Sequence, residues 1–119
     1  MKPQSAKAKG RKLQQWVRDL ILKRYKSLTS DDVRSTSMGA GGEDVLLSTA
    51  ARKLLPLSFE CKNRASYAFY KDYDQAVVNA PKGAEPVLVA KANHRKPVVI
   101  IDAEYFMKHY SPKQVRSRR

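Results

Sequence analysis

The sequence predicts a mixed α/β (or α+β) domain, a single mixed β-sheet flanked by helices, and three patterns carry that expectation. Leu13, Trp16, Val17, Leu20, Ile21, Tyr25 and Leu28 recur at the i, i+3, i+4, i+7 spacing of an amphipathic helix. Short apolar runs too brief for helices follow at Val45–Leu47, Leu57–Lys62, Val87–Ala90 and Val98–Ile101. Turn-forming clusters separate them, notably the Gly-rich segment 39–42 and Pro81-Lys82-Gly83. With 119 residues the chain favours one domain with a modest core.

Taken in order, residues 1–12 carry Lys2, Lys7, Lys9, Arg11 and Lys12 without an acid, and read as a basic flexible end over about residues 1–10. The helix from Leu13 to Leu28 comes next. Its other face holds Gln14, Gln15, Arg18, Lys23, Arg24 and Lys26, whereas Trp16 sits in mid-stripe and is expected in the core. Val33–Thr36 is a candidate edge strand. Ser48–Leu55, between two strands, has room only for a loop or one turn of helix, with Arg52 and Lys53 at its tip. Phe69, Tyr70, Tyr73, Ala76, Val77 and Ala80 have helical spacing within 67–80, with Gln75 a polar candidate on that helix. The runs Val87–Ala90 and Val98–Ile101 form a hairpin whose continuous apolar character predicts strands covered on both faces. Asp102 is placed to N-cap a last helix, 103–110, and residues 111–119 read as a second basic flexible end.

Composition bounds the function. Lys and Arg outnumber Asp and Glu by 24 to 11, giving a net charge of +13. That excess predicts an acidic polymer as partner, most commonly nucleic acid. A membrane-surface role is the rival, but no apolar stretch approaches the ~18 residues of a spanning helix. The expected setting is therefore intracellular, with no membrane. The lone Cys61 excludes an internal disulfide and suits a reducing compartment. It also points to the apolar side of its strand, as a buried structural thiol does. No Cys/His cluster has zinc-ligand spacing. The Gly-rich loop lacks the Gly-Lys-Ser/Thr ending of a P-loop. His94 and His109 lie on separate elements and read as surface residues.

The chemistry concentrates in Gly42-Glu43-Asp44 and Ser58-Phe59-Glu60-Cys61-Lys62. Period-two alternation sends Leu57, Phe59 and Cys61 to one face and Ser58, Glu60 and Lys62 to the other. Asp44 opens the preceding strand. If the two strands pair, Asp44 comes beside Glu60 and supplies a second carboxylate. Two carboxylates and an ammonium are a sensible minimum for Mg²⁺-assisted phosphodiester hydrolysis, because the ion takes hard oxygen ligands. The plainer explanation is a cross-face ion pair on a solvated strand, worth little.

These residues resemble the motif of the PD-(D/E)xK nuclease superfamily, and the surrounding elements most resemble the small Holliday-junction resolvases of archaea and viruses. The similarity runs from about Lys9 to Asp102, with the aspartate, the Glu-x-Lys pair and the Gly-rich loop its specific parts. It implies the restriction-endonuclease-like fold and a Mg²⁺-dependent endonuclease, with Mn²⁺ as a substitute, acting on branched DNA such as a four-way junction. On this resemblance Asp44, Glu60 and Lys62 are catalytic. Asp44, Glu60 and the backbone carbonyl of Cys61 hold the metal. Glu43 stands where the family usually has proline, as an extra ligand or a solvated neighbour. Gln14 stands where small resolvases carry a glutamate, and is a candidate to position a water. The candidate DNA contacts are Lys9, Arg11, Lys12, Arg34, Ser35, Ser37, Arg64, Lys91 and Arg95. Symmetric cutting of a junction implies a homodimer, for which Phe69, Tyr70 and Tyr73 are the candidate interface. The alternatives are a non-catalytic basic nucleic-acid-binding protein, and a nickase or end-processing nuclease of the same superfamily.

Overall fold

A computed structural model of the chain describes residues 3–36, 41–65 and 69–110. The elements run α1 (Pro3–Arg24), β1 (Val33–Ser35), β2 (Val45–Leu47), α2 (Thr49–Leu54), β3 (Leu57–Asn63), α3 (Phe69–Asn79), β4 (Glu85–Lys91), β5 (Val98–Ile101) and α4 (Ala103–His109). The mixed α/β class follows directly from this order. The expected single sheet is instead two hydrogen-bonded sheets. One is the antiparallel pair β1–β2, with Ser35 opposite Val45. The other has order β3–β4–β5, its first pair parallel through the α3 crossover and its second antiparallel.

Helix α1 starts earlier and ends earlier than the apolar stripe predicts. Residues 3–10, expected within a flexible end, are helical. Proline is tolerated at a first helical position, and alanine, lysine, glutamine and arginine are good helix formers. Local propensity thus outweighs the repulsion among the basic side chains. Tyr25 and Leu28 lie past the helix end, where Leu28 N–H bonds the Tyr25 carbonyl. The helix buries Leu13, Gln14, Val17 and Ile21, leaving Trp16 at 44% and Leu20 at 45% exposure. Trp16 is therefore not a core residue, and Gln14, expected on the polar face, is buried. Residues 111–119 lie outside the described residues.

The main core packs α1 against β1, β2 and the inner face of β3. Leu13, Val17 and Ile21 meet Val33, Val45, Leu57, Phe59 and Cys61, joined by Val87 and Val89 of β4. The opposite face of β3 lies under α3, whose own buried residues are Asp72 and Ala76. Leu88 pairs with Glu60 in the parallel register and is fully buried. β4 is thus covered on both faces as expected, but β5 is not: Val98 and Val99 are 54% and 59% exposed on an edge strand. Helix α1 packs over β3 and helix α3 over β3 and β4, rather than over β5.

The connections follow their sequence signals. Ser48 caps α2, its hydroxyl accepting the Ala51 N–H at 3.1 Å. Asp102 caps α4, accepting the Tyr105 N–H at 2.9 Å. Gly83 (φ 86°) turns the chain into β4 in a conformation that glycine adopts without steric cost.

Candidate active site

Asp44 and β3 meet through two hydrogen bonds rather than through a strand ladder. Asp44 N–H donates to the Phe59 carbonyl at 3.0 Å. The Asp44 carboxylate then takes the place of the next ladder acceptor: its Oδ2 accepts the Cys61 N–H at 2.8 Å. A two-residue step along one strand edge separates Phe59 from Cys61, so a single aspartate closes both rungs. The arrangement pins the carboxylate to the edge of β3 and ends pairing beyond it. Cys61's carbonyl leaves β3 on the same edge as its N–H, as in any extended strand, and so faces the Asp44 side.

Glu60 is only 4% exposed, which excludes the solvated-strand explanation of the Glu-x-Lys pair. Its Oε1 accepts a bond from Asn79 Nδ2 at 3.2 Å, and its Oε2 lies 3.5 Å from Lys62 Nζ. Lys62 remains partly exposed, so the pair has a buried acidic end and an accessible basic end. Burial raises the Asp44 carboxyl to about 6, and the Glu60 charge adds to the rise; the Cys61 N–H and Lys62 oppose it. Burial likewise holds the Cys61 thiol well above the ordinary range, and the two carboxylates add to the rise. A thiol so placed is a poor nucleophile, in line with the structural role expected for it.

Two carboxylates that repel each other in a partly dry site suit a divalent cation. The donor set of Asp44, Glu60 and the Cys61 carbonyl consists of oxygens, as Mg²⁺ prefers. Among the described residues no cluster of three or more acidic, His or Cys side chains could hold a metal. A metal here would therefore rely on one or two carboxylates, water and substrate phosphate, a common mode for Mg²⁺.

The remaining candidates separate into near and far. Glu43 is buried and paired with Arg52, which also donates to the Leu57 carbonyl at 2.7 Å. Of its two readings, extra ligand or solvated neighbour, the second fails on burial. For the first, Arg52 holds Oε2 while Oε1 is buried without a hydrogen-bond partner. Gln14 sits beneath β1, its Oε1 accepting the Ser35 hydroxyl at 2.9 Å. Ser35 is paired with Val45, the residue after Asp44, and Thr36 N–H donates to the Asp44 carbonyl. Gln14 is thus tied to the strand pair that carries Asp44.

Lys9, Arg11 and Lys12 project from the N-terminal half of α1, with Lys9 Nζ donating to Asn93 Oδ1 at 2.7 Å. Arg34 and Arg95 are exposed. Lys91 donates to the Ala92 carbonyl at 3.2 Å. Arg64 makes a two-point pair with buried Asp72, at 2.6 and 2.8 Å, which offsets its charge as a phosphate contact. Ser37 lies outside the described residues. His94 and His109 are exposed as expected, His94 in the left-handed region at φ 61°.

Two residues of the site went unseen in the sequence. Asn79 shares a helical face with Asp72 and Ala76, at i+7 and i+3, and that spacing could have indicated it in place of Gln75, which is exposed. Arg52 carries no such signal, because nothing local distinguishes an inward arginine from the exposed Lys53 beside it. No family model matches the chain, and neither the curated proteins nor the solved structures contain a significant match.

Proposed function

We propose that the protein is a metal-dependent, structure-selective DNA endonuclease, with a Holliday-junction resolvase as the specific reading. The observation that carries it is the union of Asp44 with Glu60 and Lys62 through the Cys61 N–H. A merely basic binding protein has no need of a buried glutamate beside a second carboxylate and a partly exposed lysine. The charge of +13 supports DNA as the substrate class.

Asp44, Glu60 and the Cys61 carbonyl would hold Mg²⁺, which supplies Lewis acidity and lowers the pKa of water. Asp44 is oriented for this by the Cys61 N–H, and Glu60 by Asn79. The Lys62 ammonium, accessible at its outer end, stabilises charge developing on the scissile phosphate or orients the attacking water. Tethering to Glu60 keeps that ammonium close to the carboxylates.

Resolution of a four-way junction requires two sites, and hence a dimer. Phe69 is 48% and Tyr70 84% exposed on α3. That exposure supports the helix as the contact surface.

The test is incubation of labelled duplex, flap and four-way junction DNA with Mg²⁺ or with EDTA. Cleavage should require the ion and favour the junction. Glu60→Ala and Lys62→Ala should each lower the rate by at least ~10²-fold, the scale of a lost electrostatic contribution. Wild-type rates in both variants would rule the nuclease reading out.

A further inference from the structure

A groove of about 530 Å³ opens between α1 and the β4–β5 turn, on the face of β3 opposite Glu60 and Lys62. Its walls include Trp16, which the helical stripe assigns to the core but the fold leaves 44% exposed. Lys9, Lys12 and Lys91 surround it, and among the described residues no acidic side chain lines it. At its base stands Asn63, whose side-chain Oδ1 is buried without a hydrogen-bond partner. A buried acceptor left unpaired is costly, so each such group asks for an explanation. Lys9 fixes Asn93 at the rim through its 2.7 Å bond, and His94 holds a left-handed conformation beside it.

We propose that this groove binds one unpaired nucleotide of a DNA strand, a site that rests on the nucleic-acid part of the functional reading above. An exposed indole offers a stacking face to any base, and lysines around it neutralise the flanking phosphates. Asn63 Oδ1, covered in the free protein, accepts an N–H from the base edge once its side chain turns into the groove; every base possesses such an N–H, so recognition is sequence-tolerant. The position makes the groove useful. Asn63 directly follows Lys62 on β3, and successive strand residues project to opposite faces. A strand bent around the end of β3 therefore places its unpaired base in the groove and a neighbouring phosphodiester at Glu60 and Lys62. Such bent, unstacked strands occur at junctions, flaps and ends, not in continuous duplex.

The chain has a single tryptophan, which lines this groove and the adjoining apolar one beside Leu20 and Val98, so its emission reports these two places and no other. With EDTA present to prevent cleavage, a short oligothymidylate should quench Trp16 saturably, and a blunt duplex should quench it far less. Trp16→Ala should weaken single-strand binding about tenfold or more, as loss of one stacked base does. Asn63→Ala should weaken it about two- to tenfold without lowering the melting temperature, because it removes an acceptor that has no partner in the free protein. Unchanged emission while labelled oligonucleotide binds would overturn the proposal, as would equal quenching by duplex. Should Trp16→Ala fail to fold, the wild-type emission and Asn63→Ala decide. Cleavage without quenching would overturn the groove and leave the nuclease; quenching without Mg²⁺-dependent cleavage would do the reverse. Failure of any DNA to bind would overturn both.

Discussion

Asp44 bonds β3 twice, once through its backbone N–H and once through its carboxylate, whose pKa rises to about 6. For an acid with a raised folded pKa, the native state binds more protons than the unfolded chain between about pH 4 and 6. Stability therefore falls as pH rises through that window, and the ionised group opposes folding above it. Asp44→Asn retains an oxygen for the Cys61 N–H and removes the charge. In EDTA it should raise the melting temperature at pH 8 and leave it nearly unchanged at pH 4. Equal shifts at the two pH values would place the effect outside the titration of Asp44. The same substitution should abolish any Mg²⁺-dependent stabilisation of the wild-type protein at pH 8.

At the scale of elements, two side chains tie separate pieces of structure to the site. Arg52 of α2 joins Glu43, before β2, to the Leu57 carbonyl of β3. Removing the guanidinium strands a buried carboxylate, so Arg52→Ala should cost about 3 kcal/mol in urea denaturation. Adding Glu43→Gln should recover part of that loss, since the stranded charge is its main source; no recovery would put the cost on the Leu57 contact instead. Gln14 ties α1 to the strand pair bearing Asp44. Gln14→Glu places a carboxylate at a position 2% exposed, so it should lower the melting temperature in EDTA. If the residue lies within reach of a metal, Mg²⁺ should restore more stability to this variant than to the wild type. An identical Mg²⁺ response in both would remove Gln14 from the site. Elements also show where pattern reading stops. The period-two alternation of β3 correctly separated Cys61 from Glu60 and Lys62. It could not reveal that α3 covers the polar face, because coverage is decided by a later element, Phe69–Asn79, outside the strand's own pattern.

For the whole molecule, the charge of +13 makes DNA binding a matter of counterion release. With six or so phosphate contacts, raising salt from ~50 to ~200 mM should lower affinity on the order of a thousandfold, measured by anisotropy of labelled DNA. A nearly flat response would point to a protein or lipid partner. None of the helices, among the described residues, is long and apolar enough to cross a membrane. Sedimentation with and without four-way junction tests the proposed dimer. A strict monomer in both would sink junction resolution and favour a nuclease that nicks one strand.

Local pattern left Ser48–Leu55 open between a loop and a turn of helix, but determined the α/β class, the order of the other helices and strands after residue 13, the cap at Asp102, and the candidate trio Asp44, Glu60 and Lys62. These follow from steric periodicity and from hydrogen bonds within a few residues, which neighbouring letters encode. Only the tertiary structure decided that the strands form two sheets, and that Asp44 joins them with its carboxylate instead of a ladder. It also decided which positions of an apolar stripe are buried: Gln14 lies inside while Trp16 stays half in solvent, because the helix rotates to fit β1 and β3 and not to maximise its own hydrophobic contact. The partners of Glu43 and Glu60, Arg52 and Asn79, belong to the same category. A charge seeks its counterpart through space, and the chain separates such partners by nine and nineteen residues.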